Sequence, residues 1–200
     1  MDLNNLILTF FLIIFSLFFY KYFLLRINKY DSKFLIDDQF NKPQAFHQKA
    51  VSLSGGTCLF FSLLIVFIYF WLFKKIIFFE YISICTLLFL LGFIDDIFIN
   101  IKPKIRLALM IILLFFLIKY NNLYLDKTGI TLLNNWLDNS EIFSLIFICL
   151  CFLFVINGAN LIDGYNGLLG FHSLIILPNL FLINYLSKNN DLANLLFFVI

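Results

Sequence analysis

Residues 142–167 read IFSLIFICLCFLFVINGANLIDGYNG, and the first fifteen carry no charge. A helix needs roughly 20 residues to cross the hydrocarbon core of a bilayer. This run is therefore short, and it spans only by borrowing from its flanks. Its C-terminal flank is the polar stretch itself. Asn157, Asn160, Asp163 and Asn166 recur every three residues, with Gly158, Gly164 and Gly167 each one place behind a polar residue. Positions three apart are neighbours on a helix, so Asn160 and Asp163 are expected close together at the membrane boundary, flanked by Asn157 and Asn166. The glycines admit another backbone or a bulky phosphate, and let the helix break near Gly164. The plain alternative is a polar C-cap with glycine stops.

The rest of the chain has the same character. It is 62% hydrophobic and 20% aromatic, with 13% charged residues and a mean hydropathy of +0.98. A water-soluble domain of this size has too much surface to cover with so few charges. The expected fold class is all-α: a polytopic integral membrane helical bundle of six complete transmembrane helices and the start of a seventh. The spans are expected at about 6–25, 56–73, 76–94, 105–120, 142–157, 167–186 and 192–200, the last incomplete, within one membrane domain. The first is read as a retained helix. It has Asp2 in place of a basic leader and no small-residue cleavage site. Loop 119–141, with Trp136 and scattered Asn, is expected as a short cap at the interface.

Cys58, Cys85, Cys149 and Cys151 all sit in apolar runs, with no CxxC pair, and are expected as small buried hydrophobes. His172 is expected to be buried and hydrogen-bonded. A net charge of +2, without a basic tail or an aromatic-interleaved basic patch, is too small to suggest nucleic acid, and no nucleic-acid partner is expected.

Lys and Arg give the sidedness. If loops 26–54, 95–106 and 157–167 share one side, that side holds nine basic residues and the other five. The positive-inside bias then places those loops in the cytoplasm and the N-terminus outside.

Of the twelve acids, three sit at helix ends by the membrane. Asp95 and Asp96 directly follow CTLLFLLGFI, and Asp163 follows FVINGANLI. All three fall on the expected cytoplasmic face. Ionisable groups at membrane depth are costly and mark functional sites by default. Adjacent carboxylates repel unless a cation or a shared proton intervenes, and Mg²⁺ is a hard ion suited to carboxylate and phosphate oxygens. Acids, amides and lysines without a soft ligand point to phosphate chemistry, not to zinc or iron. A helix-end Asp pair facing water is the alternative, which the pair alone leaves open.

Basic residues suggest an anionic partner. Lys102, Lys104 and Arg106 follow the Asp pair, and HQKAVSLSGG sets His47 and Lys49 before Gly55-Gly56 at a helix start. Free N–H groups there can hold a phosphate. The same basic residues also serve as lipid-headgroup anchors.

GFIDDIFINIKPKIRL, NGANLIDGYNGLLG and HQKAVSLSGG, set between membrane helices, resemble the polyprenyl-phosphate N-acetylhexosamine-1-phosphate transferases of glycosyltransferase family 4. That family includes the phospho-N-acetylmuramoyl-pentapeptide transferase and the UDP-GlcNAc:undecaprenyl-phosphate GlcNAc-1-phosphate transferases of cell-wall and lipopolysaccharide synthesis. The resemblance implies an inner-membrane enzyme with its active site on the cytoplasmic face. Polyprenyl phosphate attacks the sugar-linked phosphate of a UDP-N-acetylhexosamine and releases UMP, with Mg²⁺ or Mn²⁺ as cofactor. It implies Asp95, Asp96 and Asp163 as catalytic and metal-binding residues. Asn157, Asn160, Asn166, His47, Lys49, Lys104 and Arg106 become substrate-binding residues. A homodimer is left open.

Two departures stand out. The family pattern has an acid where this chain has Asn166. The chain also stops in its seventh span, before the family's glycine-rich metal motif and its sugar-recognising histidine loop. The 200-residue chain is accordingly read as truncated, and inactive or nearly so on its own. Two rivals remain: a Mg²⁺-dependent membrane prenyltransferase of another kind, and a non-catalytic scaffold or remnant. The first should show NDxxDxxxD-like runs, and DDIFIN lacks the second spaced acid.

Overall fold

The computed structural model describes residues 3–29, 36–37, 51–52, 54–97, 102–125, 127–163 and 167–200. Eight α-helices account for nearly all of them: α1 Leu3–Lys29, α2 Ser54–Tyr69, α3 Phe79–Ile97, α4 Pro103–Tyr120, α5 Thr131–Asn139, α6 Glu141–Asp163, α7 Leu168–Leu186 and α8 Asn190–Val199. The protein is an all-α membrane helical bundle. One two-residue antiparallel ladder, Ile36–Asp37 on Val51–Ser52, pairs Ile36 with Ser52 and Asp37 with Val51.

Among the described residues, four stretches are long and apolar enough to cross a membrane: Asn5–Tyr22, Gly55–Lys74, Glu141–Ile162 and Leu168–Leu186. The apolar stretches Phe79–Ile94 and Asn190–Val199 are shorter. The expected run 142–157 falls inside α6, which carries on through Asn157 and Asn160 and ends at Asp163. Hydrophobicity stops before the helix does, because asparagine side chains can be satisfied on a helix. Asn157 does this by donating from Nδ2 to the Leu153 carbonyl at 2.8 Å.

The chain divides into two compact units, Met1–Phe78 with Ile162–Ile200, and Phe79–Leu161. In the first, α1 and α2 are antiparallel neighbours. The Tyr69 hydroxyl donates to Asn5 Oδ1 at 2.9 Å, and Phe19 meets Phe61 with ring centroids 6.1 Å apart. α2 runs into a π-helical turn, Phe70–Lys74, closed by Lys75 in the left-handed region (φ 56°), whose N–H bonds back to the Phe70 carbonyl. Two lysines thus end an apolar helix at the negative end of its dipole, where cations are favoured. The buried Phe70 ring packs edge-on against Phe78 and Phe198 at 5.3 and 5.9 Å. α7 and α8 pair through Phe181 and Phe197 at 6.2 Å.

Removing the tether between α1 and α2 tests how much one polar pair contributes. Tyr69→Phe leaves the half-buried Asn5 amide without its partner. It should cost about 0.5–1.5 kcal/mol, read as a lower thermal unfolding midpoint of the purified protein in detergent. An unchanged midpoint would show that the bond contributes nothing.

In the second unit, Met110, Leu114 and Ile118 of α4 form one buried cluster with Leu145, Ile148, Cys149 and Leu153 of α6, and Leu88 and Leu91 of α3 pack against it. The spacings of three and four keep these residues on one face of each helix.

Two expectations need correction. Of the cysteines only Cys149 is buried; Cys58 and Cys85 are half-buried and Cys151 is exposed. His172 is likewise exposed, and makes no hydrogen bond among the described residues. The physical reason is common to both. In a bilayer, apolar residues need not be buried in protein, so an apolar run does not imply a protein interior. α7, which carries His172, has no fully buried residue at all.

Candidate functional site

Residue contacts fix the helix directions within the second unit. Phe79, at the start of α3, lies 6.1 Å from Tyr120 at the end of α4, and Asn121 Nδ2 donates to Ser83 Oγ at 3.0 Å. α3 and α4 are therefore antiparallel. α6 begins where α4 has ended, with the Tyr124 hydroxyl donating to Glu141 Oε1 at 3.2 Å. It too runs against α4, and hence parallel to α3. One end of this unit thus gathers the C-terminus of α3, the N-terminus of α4 and the Asn157–Asn160 portion of α6.

Each of these three elements brings different chemistry. Asp95 and Asp96 occupy the last turn of α3, which ends at Ile97. Their backbone positions are described; their side chains lie outside the described part, as does that of Asp163, the last residue of α6. All three acids thus close helices at the C-terminal end, where unsatisfied carbonyls already carry partial negative charge. The dipole adds to the carboxylate charge there. Such positions call for a cation.

The start of α4 supplies the opposite sign. Lys102 is its N-cap residue and Pro103 follows at the first helical position, where a missing N–H costs nothing. The Lys102 carbonyl accepts from Ile105 N–H at 2.8 Å and Arg106 N–H at 3.2 Å. Lys102 and Lys104 are exposed and Arg106 is half-buried. A helix N-terminus with one cation at its N-cap and two in its first turn is an anion-binding arrangement.

Asn157 is half-buried and Asn160 exposed, one turn apart, with Asp163 one further turn along the same helix. A Cβ added at Gly158 would meet nothing within 4 Å, so the described structure leaves open space beside the asparagines. Gly167, which opens α7, has φ +79°, a conformation that suits glycine.

Three of the expected site residues, His47, Lys49 and Asn166, lie outside the described residues. Gly55 and Gly56 fall in the first turn of α2, in the first unit, with open space around both. Sequence reasoning named Lys102 only among the basic residues that suggest an anionic partner; its position before Pro103 marks it further as the residue that opens α4.

Residues 76–200, more than half of the chain, match the family model of glycosyl transferase family 4. The chain belongs to that family. No curated protein and no solved structure matches it. Membership in glycosyl transferase family 4 makes the protein a membrane transferase, and sets its reaction class as transfer of a sugar phosphate to a polyprenyl phosphate. It does not favour the prenyltransferase rival. The matched stretch takes in Asp95, Asp96, Lys104, Arg106, Asn157, Asn160, Asp163 and Asn166. His47, Lys49 and the Gly55-Gly56 pair lie before it.

Proposed function

We propose that the protein transfers N-acetylhexosamine 1-phosphate from a UDP-sugar to polyprenyl phosphate and releases UMP, as a first membrane step of cell-envelope polysaccharide synthesis. The observation that carries this is the placing, at one end of the second unit, of the helix C-terminus that bears Asp95 and Asp96 beside the helix N-terminus that bears Lys102, Lys104 and Arg106. A nucleotide-sugar diphosphate with a hard cation needs both. In this reading the site faces the cytoplasm of the inner membrane, with the N-terminus outside.

The donor set suits Mg²⁺, with Mn²⁺ as a substitute: acids and amides at helix ends, all hard oxygen ligands. Asp95, Asp96 and Asp163 would hold it, and when bound it neutralises diphosphate charge that builds as the bond to the leaving phosphate lengthens. The chain's own residues do the rest. Lys104 and Arg106, with Lys49 and His47, hold phosphate oxygens of the two substrates. Asn160 and Asn157 orient the nucleotide sugar through amide hydrogen bonds, and Asn166 offers an oxygen without a charge. Asp95 and Asp96 keep the attacking phosphate in line. One oxygen of the polyprenyl phosphate bonds to the sugar-linked phosphorus, the bridge to the other phosphorus breaks, and UMP leaves with that bridging oxygen.

The test is UMP release from UDP-GlcNAc by membranes expressing the full open reading frame, with polyprenyl phosphate added. Release should need both the lipid phosphate and a divalent cation. Chelation should abolish it, and Mg²⁺ should restore it. Turnover that survives chelation would remove the metal from the reading. Release without polyprenyl phosphate would remove the acceptor.

A further inference from the structure

At the opposite end of the second unit, where α4 has ended and α6 begins, lies a pocket of about 240 Å³ lined by Tyr124, Leu125, Leu137, Asp138, Glu141 and Ser144. None of these residues is among those proposed for the transfer reaction.

Ser144 is the telling member. It is 4% exposed, yet among the described residues its hydroxyl makes no hydrogen bond. Helical serines ordinarily bond back to a carbonyl one turn earlier, as Ser173 does to Leu169 at 2.9 Å. A buried hydroxyl without a partner is unfavourable, and such groups call for an explanation.

Two carboxylates line the same pocket. Glu141 accepts from Tyr124 at Oε1, leaving Oε2 unused, and Asp138 is exposed with no hydrogen bond or ion pair among the described residues. Partial burial, then the hydrogen bond and charge of Glu141, push the Tyr124 phenol above its ordinary value, so Tyr124 stays a neutral donor to Glu141.

We propose that this pocket binds a primary ammonium group, carried by an aminophospholipid head group or by a free amine. An ammonium has three N–H donors, and the Asp138 carboxylate, Glu141 Oε2 and the Ser144 hydroxyl line the pocket as acceptors. A metal ion fits less well. Ca²⁺ and Mg²⁺ take six or more oxygens, and the described residues hold no group of three His, Cys, Asp or Glu that could bind a metal.

The depth also suits a head group. α5 beside the pocket buries Leu137 and exposes Leu132 and Trp136, and Trp136 stands edge-on to Phe143 at 5.6 Å. An amphipathic helix with an exposed Trp is an interfacial element. Ser144 lies in the first turn of a membrane-length helix.

The purified protein in detergent would be mixed with phosphatidylethanolamine and phosphatidylcholine of identical acyl chains, and retained lipid counted by native mass spectrometry. The ethanolamine lipid should be retained about tenfold more, since the quaternary head group cannot donate. Asp138→Asn, on an exposed position that leaves packing untouched, should remove most of that preference, and Ser144→Ala should reduce it. Displacement of the lipid by soluble ethanolamine supports the ammonium site. Binding of ethanolamine without lipid preference assigns the site to a free amine. Equal retention of both lipids with no ethanolamine binding overturns the proposal. So does an undiminished preference in both Asp138→Asn and Glu141→Gln, or displacement by Mg²⁺ but not by ethanolamine.

Discussion

Asp163→Ala should cut UMP release by at least about 100-fold while the protein accumulates in membranes as before. Removing one preorganised electrostatic group from a transition state costs about that much. Asp163 closes α6 at the negative end of its dipole, so its charge is not there to stabilise the helix. Taking it away should relieve the helix end slightly, by about 0.3–1 kcal/mol. Activity and stability are therefore expected to move in opposite directions, a result that a merely structural residue would not give. Asp95→Ala and Asp96→Ala should behave alike, being in the last turn of α3. Near-normal turnover in any one of these variants would remove that residue from the site.

Leu114→Ala carries the largest expected cost in stability. Leu114 is 1% exposed and sits in the middle of the cluster that joins α4 to α6, with Leu88 and Leu91 of α3 against it. Truncating a fully buried leucine destabilises by about 2–5 kcal/mol, depending on how far its neighbours collapse. Lipid cannot refill a cavity that opens only inward. The control is Ile112→Ala, two residues away on the exposed side of α4, which should cost far less. The measurement is thermal unfolding of both variants in the same detergent. Equal losses would mean that α4 does not pack on this face.

Much of the bundle was legible because bilayer thickness is a blunt constraint. Runs such as 6–25 and 167–186 have little else to become, and they fall on α1 and α7. The continuation of α6 to Asp163 was legible too, since a fifteen-residue run had to borrow its flank. What lipid does is hide packing. Alternation between protein interior and water leaves a pattern; alternation between protein interior and hydrocarbon leaves almost none. That is why Cys151 and His172 were misplaced, and why Leu114 could not be told from Ile112.

The candidate site was legible where charge stood out against the apolar background, as at Asp95-Asp96 and at Lys104 and Arg106. An ordinary hydroxyl does not stand out in this way. Ser144 looks like any small residue in IFSLIF, and only its burial beside two carboxylates marks it.

The exposed apolar faces have a consequence for how this sequence can vary. Phe18 is 71% exposed, Phe154 77% and Leu186 77%. At such positions hydrocarbon accepts Phe, Leu, Ile or Val with nearly equal ease, so substitution there is close to neutral. A drift in base composition toward phenylalanine codons could accumulate on these faces without selection noticing, and the chain does hold 29 phenylalanines. Substitution rates along α6 should therefore rise and fall with the helical turn, slow at Leu145, Ile148 and Leu153 and fast at Phe154 and Val155.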